Sequence, residues 1–136
     1  MAEVESLVTK PVSKKKKAKR SVPYGQVHIL ASFNNTIVTF ADSKGAVLTF
    51  ASAGSCGFRG SKKGTAYAAQ VAAEKATQTA KQQFGIKKVD IYVKGIGQGR
   101  ESVIRTVGSS DISIDKIIDV TGVPHGGVRP RKARRV

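Results

Sequence analysis

Two-thirds of the excess charge in this sequence lies at its ends, and that placement limits what the chain can fold into. Residues 1–23 carry seven Lys and Arg against two acidic side chains, residues 124–136 carry five against none, and residues 24–123 carry twelve against seven. Each segment is thus net +5, within a total of +15 over 136 residues. The end segments are poor in large apolar side chains, with one Leu and no Ile or aromatic residue, so they cannot bury enough surface to offset the entropy of ordering them. The expectation is one folded domain over 24–123 between a basic N-terminal tail (1–23) and a basic C-terminal tail (124–136).

A compact monomer at +15 repels itself, so a polyanion is the expected partner. No window approaches the ~20 apolar residues of a membrane span, and the stretch Met1–Lys10 lacks an apolar signal core. A soluble, unsecreted protein without a membrane partner is expected. Cys56 is the only cysteine and there are two histidines, which excludes an internal disulfide and a Cys/His zinc cage. No cofactor, metal or small-molecule substrate is expected. Lys14, Lys15, Lys16, Lys17, Lys19 and Arg20 crowd like charge at a density that suits nucleic-acid phosphate better than mere solvation. In the C-terminal tail, Arg129, Arg131, Lys132, Arg134 and Arg135 are mostly guanidinium forks, suited to bidentate phosphate contact.

Val27, Ile29, Ala31 and Phe33 alternate with polar neighbours and predict a half-buried strand. Asn34-Asn35 predicts a tight hairpin, because Asn tolerates left-handed backbone, leading into a second strand over Thr36–Ala41. A third strand over Ala46–Ser52 completes an antiparallel meander. From Thr65 to Phe84, Ala66, Ala69, Ala73, Ala76, Ala80 and Phe84 recur at helical spacing, and Gly85 ends the helix. An alanine stripe brings a helix close to a sheet but buries little area per residue. A strand over Lys88–Lys94 follows, then a short helix over Arg100–Val107 with Val103, Ile104 and Val107 inward, then a last strand containing Ile114, Ile117 and Ile118. The order βββαβαβ predicts a single α/β domain: a mixed sheet covered by helices, with right-handed later crossovers.

Two glycine loops invite nucleotide-binding readings. Gly54–Gly64 is not a P-loop, since Ser61 follows Gly60 and Gly64 follows Lys63. What remains is a loop whose Gly57 and Gly60 let backbone N–H groups approach phosphate, beside Arg59, Ser61, Lys62 and Lys63 and just before a helix. Phe58 could stack on a base or anchor to its own domain. In the second loop, Gly95, Gly97 and Gly99 fall short of a dinucleotide fingerprint because Arg100 holds the third glycine position. Lys94, Gly97, Gly99, Arg100 and Arg105 there suit an RNA phosphate, against the plainer alternative of a strand-to-helix turn. For catalysis, nothing fixes Cys56 beside His28 or His125, and the seven carboxylates of the middle segment are scattered.

The blocks His28-Ile29, Ala31 to Thr39, Ala51 to Gly54, Gly57-Phe58, Gly60-Ser61, Ala68 to Glu74, Lys94-Gly95, Gly99 to Ser102, Asp119 to Thr121 and Pro124-His125, ending in Arg129-Pro130, closely resemble the S-eleven family of small-subunit ribosomal proteins, bacterial type, over about residues 24–136. The resemblance implies a ribonuclease-H-like fold without nuclease activity, in the cytoplasmic ribosome, and a structural role in translation. It implies that the protein binds and bridges helices of small-subunit rRNA on the platform. It also implies a place beside the messenger RNA at the Shine–Dalgarno cleft, next to ribosomal proteins S seven and S eighteen. Carried over by motif, RNA contacts fall on Asn34, Asn35, Arg59, Ser61, Lys62, Lys63, Arg100, Arg105, His125 and the tail cations. Ile96 and Gln98 replace prolines usual in the family, which predicts a less rigid second loop. Gly126, Val128 and Arg131 replace its usual Asn, Cys and second Pro, and Phe50 stands where an aromatic, often Trp, is usual. Glu3 and Glu5 speak against a transit peptide. Two other classes stay open on the residues alone: a metal-dependent nuclease using Asp42 or Asp90, and a DNA-compacting protein.

Overall fold

The computed structural model describes residues 21–135. The N-terminal run Lys14–Arg20, expected to bind nucleic acid, lies outside the described residues. The elements follow in the order β1 (Tyr24–Ala31), β2 (Thr36–Asp42), β3 (Val47–Ser52), a short 3-10 helix (Gly60–Gly64), α1 (Ala66–Phe84), β4 (Lys88–Lys94), α2 (Gly99–Ser109) and β5 (Ser113–Asp119). One mixed sheet has strand order β3-β2-β1-β4-β5. The meander β1–β2–β3 is antiparallel, while β4 pairs parallel with β1 and β5 parallel with β4. The α/β class and element order read from the sequence are those of the structure.

Both helices cover one face. Val27 and Ile29 of β1, Val38 and Phe40 of β2, and Val89, Ile91 and Val93 of β4 share a core with Ala69, Ala73, Ala76 and Ala80 of α1 and Val103 and Val107 of α2. The buried side of α1 is wider than the expected stripe, because Ala68, Ala72 and Thr77 are buried too, whereas Ala66 and Phe84 are only half-buried. Small side chains on this whole side let the helix sit close to the sheet and to α2. The Thr65 hydroxyl caps α1 by accepting the Ala68 N–H, and Gly85 ends it in left-handed backbone at φ 63°.

Two local expectations are corrected. Phe33 is not in the core: it sits in the turn and is 73% exposed, since β1 stops two residues earlier. Asp111 is the only described non-glycine residue with positive φ, so neither asparagine makes the hairpin by left-handed backbone. Ser32 makes it instead. Its hydroxyl accepts the Asn35 N–H at 3.1 Å, and its N–H donates to the Asn35 carbonyl at 2.8 Å. In β5, Ile117 is 55% exposed and Ile118 is exposed as well, because an edge strand has one neighbour and the helices do not reach over its far end. Ile112, just before the strand, is the residue buried there. The folded part also begins slightly earlier than residue 24, with Val22 buried and its N–H donated to the Phe84 carbonyl.

Candidate nucleic-acid interface

The topology gathers every segment that the sequence singled out, apart from the N-terminal run, at one end of the sheet. In register, Ala31 of β1 faces Thr36, Ile37 faces Ser52 at the end of β3, Leu30 faces Lys94 at the end of β4, and Val93 faces Asp119 at the end of β5. The turn 32–35, the glycine-rich segment 53–64, the loop 95–98 and the C-terminal segment therefore leave from the same edge. Far-apart stretches of sequence become neighbours here because β4 and β5 return parallel to β1.

The glycines serve close packing more than phosphate access. A Cβ on Gly64 would stand 2.0 Å from the Phe33 carbonyl oxygen, and one on Gly97 2.2 Å from that of Ser32. The hairpin turn is thus clamped between the two glycine loops. Gly99 fits α2 against Thr36 and Ala69, where a Cβ would come within 2.6 Å of the Ala69 Cβ. The N–H groups of the second loop are occupied: Gly97 donates to the Ala31 carbonyl at 2.9 Å, and Gly95 to the Thr121 hydroxyl at 3.1 Å. Gly57 and Gly60 have φ of 95° and 62°, which bend the first loop in ways a larger residue resists.

Most of the predicted cations stand free. Arg59, Lys62, Lys94, Arg129, Arg131, Lys132, Arg134 and Arg135 are exposed and Lys63 is half-buried. Among the described residues none of these nine has an ion-pair partner. Ser61, Asn34 and His125 are exposed beside them, whereas Asn35 turns its side-chain oxygen inward to accept the Thr36 N–H at 2.9 Å. Phe58 is half-buried edge-on against Tyr67, with ring centroids 5.8 Å apart, so it acts as an anchor. Tyr67 and Phe33 are the exposed rings at this end, and sequence reasoning missed both. The run of alternation hid Phe33, and a helical position hid Tyr67.

Two predicted contacts are committed within the protein. Arg105 pairs with Glu101 one helical turn away at 3.7 Å. Arg100 donates to the Gly95 carbonyl at 2.8 Å and to Asp119 at 2.6 Å. Asp119 also accepts the Thr121 N–H and hydroxyl, and Thr121 accepts the Gly95 N–H, which closes a ring. These bonds hold the Asp119 carboxyl down at about 2, the Thr121 hydroxyl and N–H contributing first and Arg100 after them. The ring fastens the start of the C-terminal segment to the second glycine loop, which is pinned even without the prolines.

The carboxylates a nuclease would use, Asp42 and Asp90, lie toward the other end of the sheet and hold backbone and phenol groups. Asp42 accepts the N–H groups of Lys44 and Ala46, each at 2.9 Å. Asp90 accepts the Tyr24 hydroxyl at 2.7 Å, which with burial pushes that phenol well above its usual range. His28 stacks on Tyr92, away from Cys56, and burial lowers its imidazole pKa. Among the described residues, no three His, Cys, Asp or Glu side chains gather as metal ligands.

The fold is a two-layer α/β domain, and among the described residues one end of its sheet carries cations without ion-pair partners. The family is equally clear. Residues 25–135 match the family model described as Ribosomal protein S11. The chain is 52% identical over 126 residues to the small ribosomal subunit protein uS11 of Colwellia psychrerythraea, covering 93% of this chain and 97% of that one. It is 54% identical to the protein of that name from Nitratidesulfovibrio vulgaris (90% and 94% covered) and 56% identical to that from Legionella pneumophila strain Paris (90% and 92%). The chain belongs to the ribosomal protein S eleven family: it is a structural protein of the small ribosomal subunit, located in the cytoplasmic ribosome, and not an enzyme.

Proposed function

We propose that the loop end of the sheet is the surface by which this protein holds small-subunit rRNA. One observation carries the reading: nine cations without acidic partners among the described residues, three from the first glycine segment, Lys94 at the end of β4 and five from the C-terminal segment, all at one end of the sheet. The contacts are Asn34, Arg59, Ser61, Lys62, Lys63, Lys94, His125, Arg129, Arg131, Lys132, Arg134 and Arg135, with Lys14–Lys17, Lys19 and Arg20 added from sequence. Gly57, Gly60, Gly97, Gly99 and Arg100 set the shape of that surface. The protein clamps electrostatically and turns nothing over: residues 24–123 dock by loops, and the segments 1–23 and 124–136 reach between RNA helices. That it bridges platform helices, borders the Shine–Dalgarno duplex and neighbours S seven and S eighteen rests on the family resemblance alone.

The nine described cations contribute about −6 to −8 to the slope of log affinity against log salt, and the six of residues 14–20 about −4 to −5 more. Deleting residues 129–136 removes five cations and should flatten that slope by about 4 while the fold melts as before. A salt-independent affinity for the rRNA platform fragment overturns the reading.

A further inference from the structure

The sheet has a second face that neither helix covers. On β1, Gln26, His28 and Leu30 alternate with buried Val27, Ile29 and Ala31. The strand register extends His28 into a row across all five strands: Phe50 of β3, Thr39 of β2, His28, Tyr92 of β4 and Ile118 of β5. The next row toward the loop end is Ser52, Ile37, Leu30 and Lys94. Phe50 is 67% and Leu30 46% exposed, and the His28 and Tyr92 rings lie nearly parallel, 5.0 Å between centroids and 10° between planes. With strands ~4.8 Å apart, Phe50 stands roughly 10 Å from His28.

We propose that this open face receives unpaired RNA bases, which stack on Phe50 and on the free side of the His28–Tyr92 pair while their phosphates run along the loop end. The proposal rests on the RNA reading of that end and adds a surface that supplies stacking in place of charge. Rings are sequence-tolerant platforms for bases once a strand is unpaired. Here they alternate with groups that can meet base edges, the Thr39 and Tyr92 hydroxyls. An apolar protein helix would leave those groups without partners.

The charge pattern selects the same occupant. The two rows hold one cation, Lys94, and no carboxylate. The carboxylates at this face, Asp90 and Asp115, lie at the far margin: Asp90 is only 8% exposed and bonded by Tyr24, and Asp115 accepts from the same hydroxyl and pairs with Lys88 at 3.5 Å. The face therefore grades from a neutralised margin to the free cations of the loop end. A strand laid across it meets rings in the middle and positive charge on one side.

The test uses small subunits assembled with the full-length protein carrying the photo-crosslinker p-benzoylphenylalanine at one position. With the probe at Arg59 an RNA adduct is expected from the loop-end reading, and with the probe at Phe50 an adduct to unpaired rRNA nucleotides is expected from this proposal. An adduct at 59 with none at 50, or with a ribosomal protein at 50, overturns the proposal and leaves the loop-end reading standing. Failure at 59 overturns the loop-end reading instead. In solution, Phe50→Ala and His28→Ala should each weaken binding of a single-stranded RNA oligomer roughly tenfold or more and leave the salt slope unchanged. Phe50→Tyr should restore affinity. Equal affinity for wild type and Phe50→Ala, with both chains folded by circular dichroism, also overturns it.

Discussion

Gly64→Ala tests whether the two glycine loops are shaped for contact with the hairpin turn. Gly64 is buried, and its added Cβ would stand 2.0 Å from the Phe33 carbonyl oxygen and 2.9 Å from its carbon. Ordinary van der Waals contact begins near 3.4 Å, so turn and loop must part by about 1.4 Å. The obstacle is backbone, which cannot swing away as a side-chain tip does. Ser32 and Gly97 hold that turn on its other side, so the movement also stresses their hydrogen bonds. Overpacking of this kind costs about 1–3 kcal/mol, against roughly 0.4–1 kcal/mol gained by restricting the unfolded chain. A net loss of about 1–2 kcal/mol lowers the melting temperature by roughly 4–15 °C for a domain of this size. Gly54→Ala is the control: it lies in the same loop without positive φ, and its Cβ would make only ordinary contacts, with the Lys63 side chain at 3.6 Å and the Ser52 hydroxyl at 3.8 Å. Thermal melting followed by far-UV circular dichroism should separate the two variants. If Gly64→Ala melts with the wild type, the clamp around the turn is not real; if both variants fall together, loop stiffness rather than contact is responsible.

Ala73→Leu, on the fully buried side of α1, should destabilise by about 1–3 kcal/mol, and an unchanged melting temperature would show that the helix does not pack closely. Gly108→Ala should stabilise α2 by about 0.5–1 kcal/mol, since the new Cβ meets only the tip of Ile114 at 3.4 Å; denaturant titration reads the gain. Arg100→Gln should raise the Asp119 pKa, followed by NMR, and expose the chain after Val120 to trypsin; an unmoved pKa removes Arg100 from the ring. Because the folded state holds Asp119 below its usual 3.8, the ring's stabilisation is complete above that value and lost as pH falls through about 2. Melting temperatures between pH 5 and 2 should fall less steeply in Asp119→Asn than in the wild type.

The architecture was legible because each element carries its own periodicity. β4 begins and ends where the alternation of Lys88–Lys94 does, and Gly85 stops α1 by its left-handed backbone. What failed were inferences that treated one residue type as one role. Asn34-Asn35 suggested left-handed backbone, yet the Ser32 side chain builds the turn. Isoleucine at 117 and 118 marked the last strand correctly, yet both side chains are exposed, because burial depends on how many neighbours a strand has. At the candidate site, sequence marked the segments correctly as cationic but not their division of labour. Arg100 and Arg59 look alike in sequence, and only the parallel return of β5 brings Asp119 against Arg100.

That division explains how a middle segment of net +5 stays folded while presenting charge to a polyanion. Carboxylates are spent where cations would otherwise strain the fold. Asp119 neutralises Arg100 beneath the second loop, Asp115 meets Lys88, and Asp111 meets Lys81 at the end of α1. The cations left over stand on loops and on the C-terminal segment, where water screens them and chain entropy keeps them apart. Repulsion among them weakly opposes closing the loop end in the free protein and vanishes when phosphate arrives. Polyanion binding should therefore stabilise the fold most at low salt, where both the repulsion and its relief are largest.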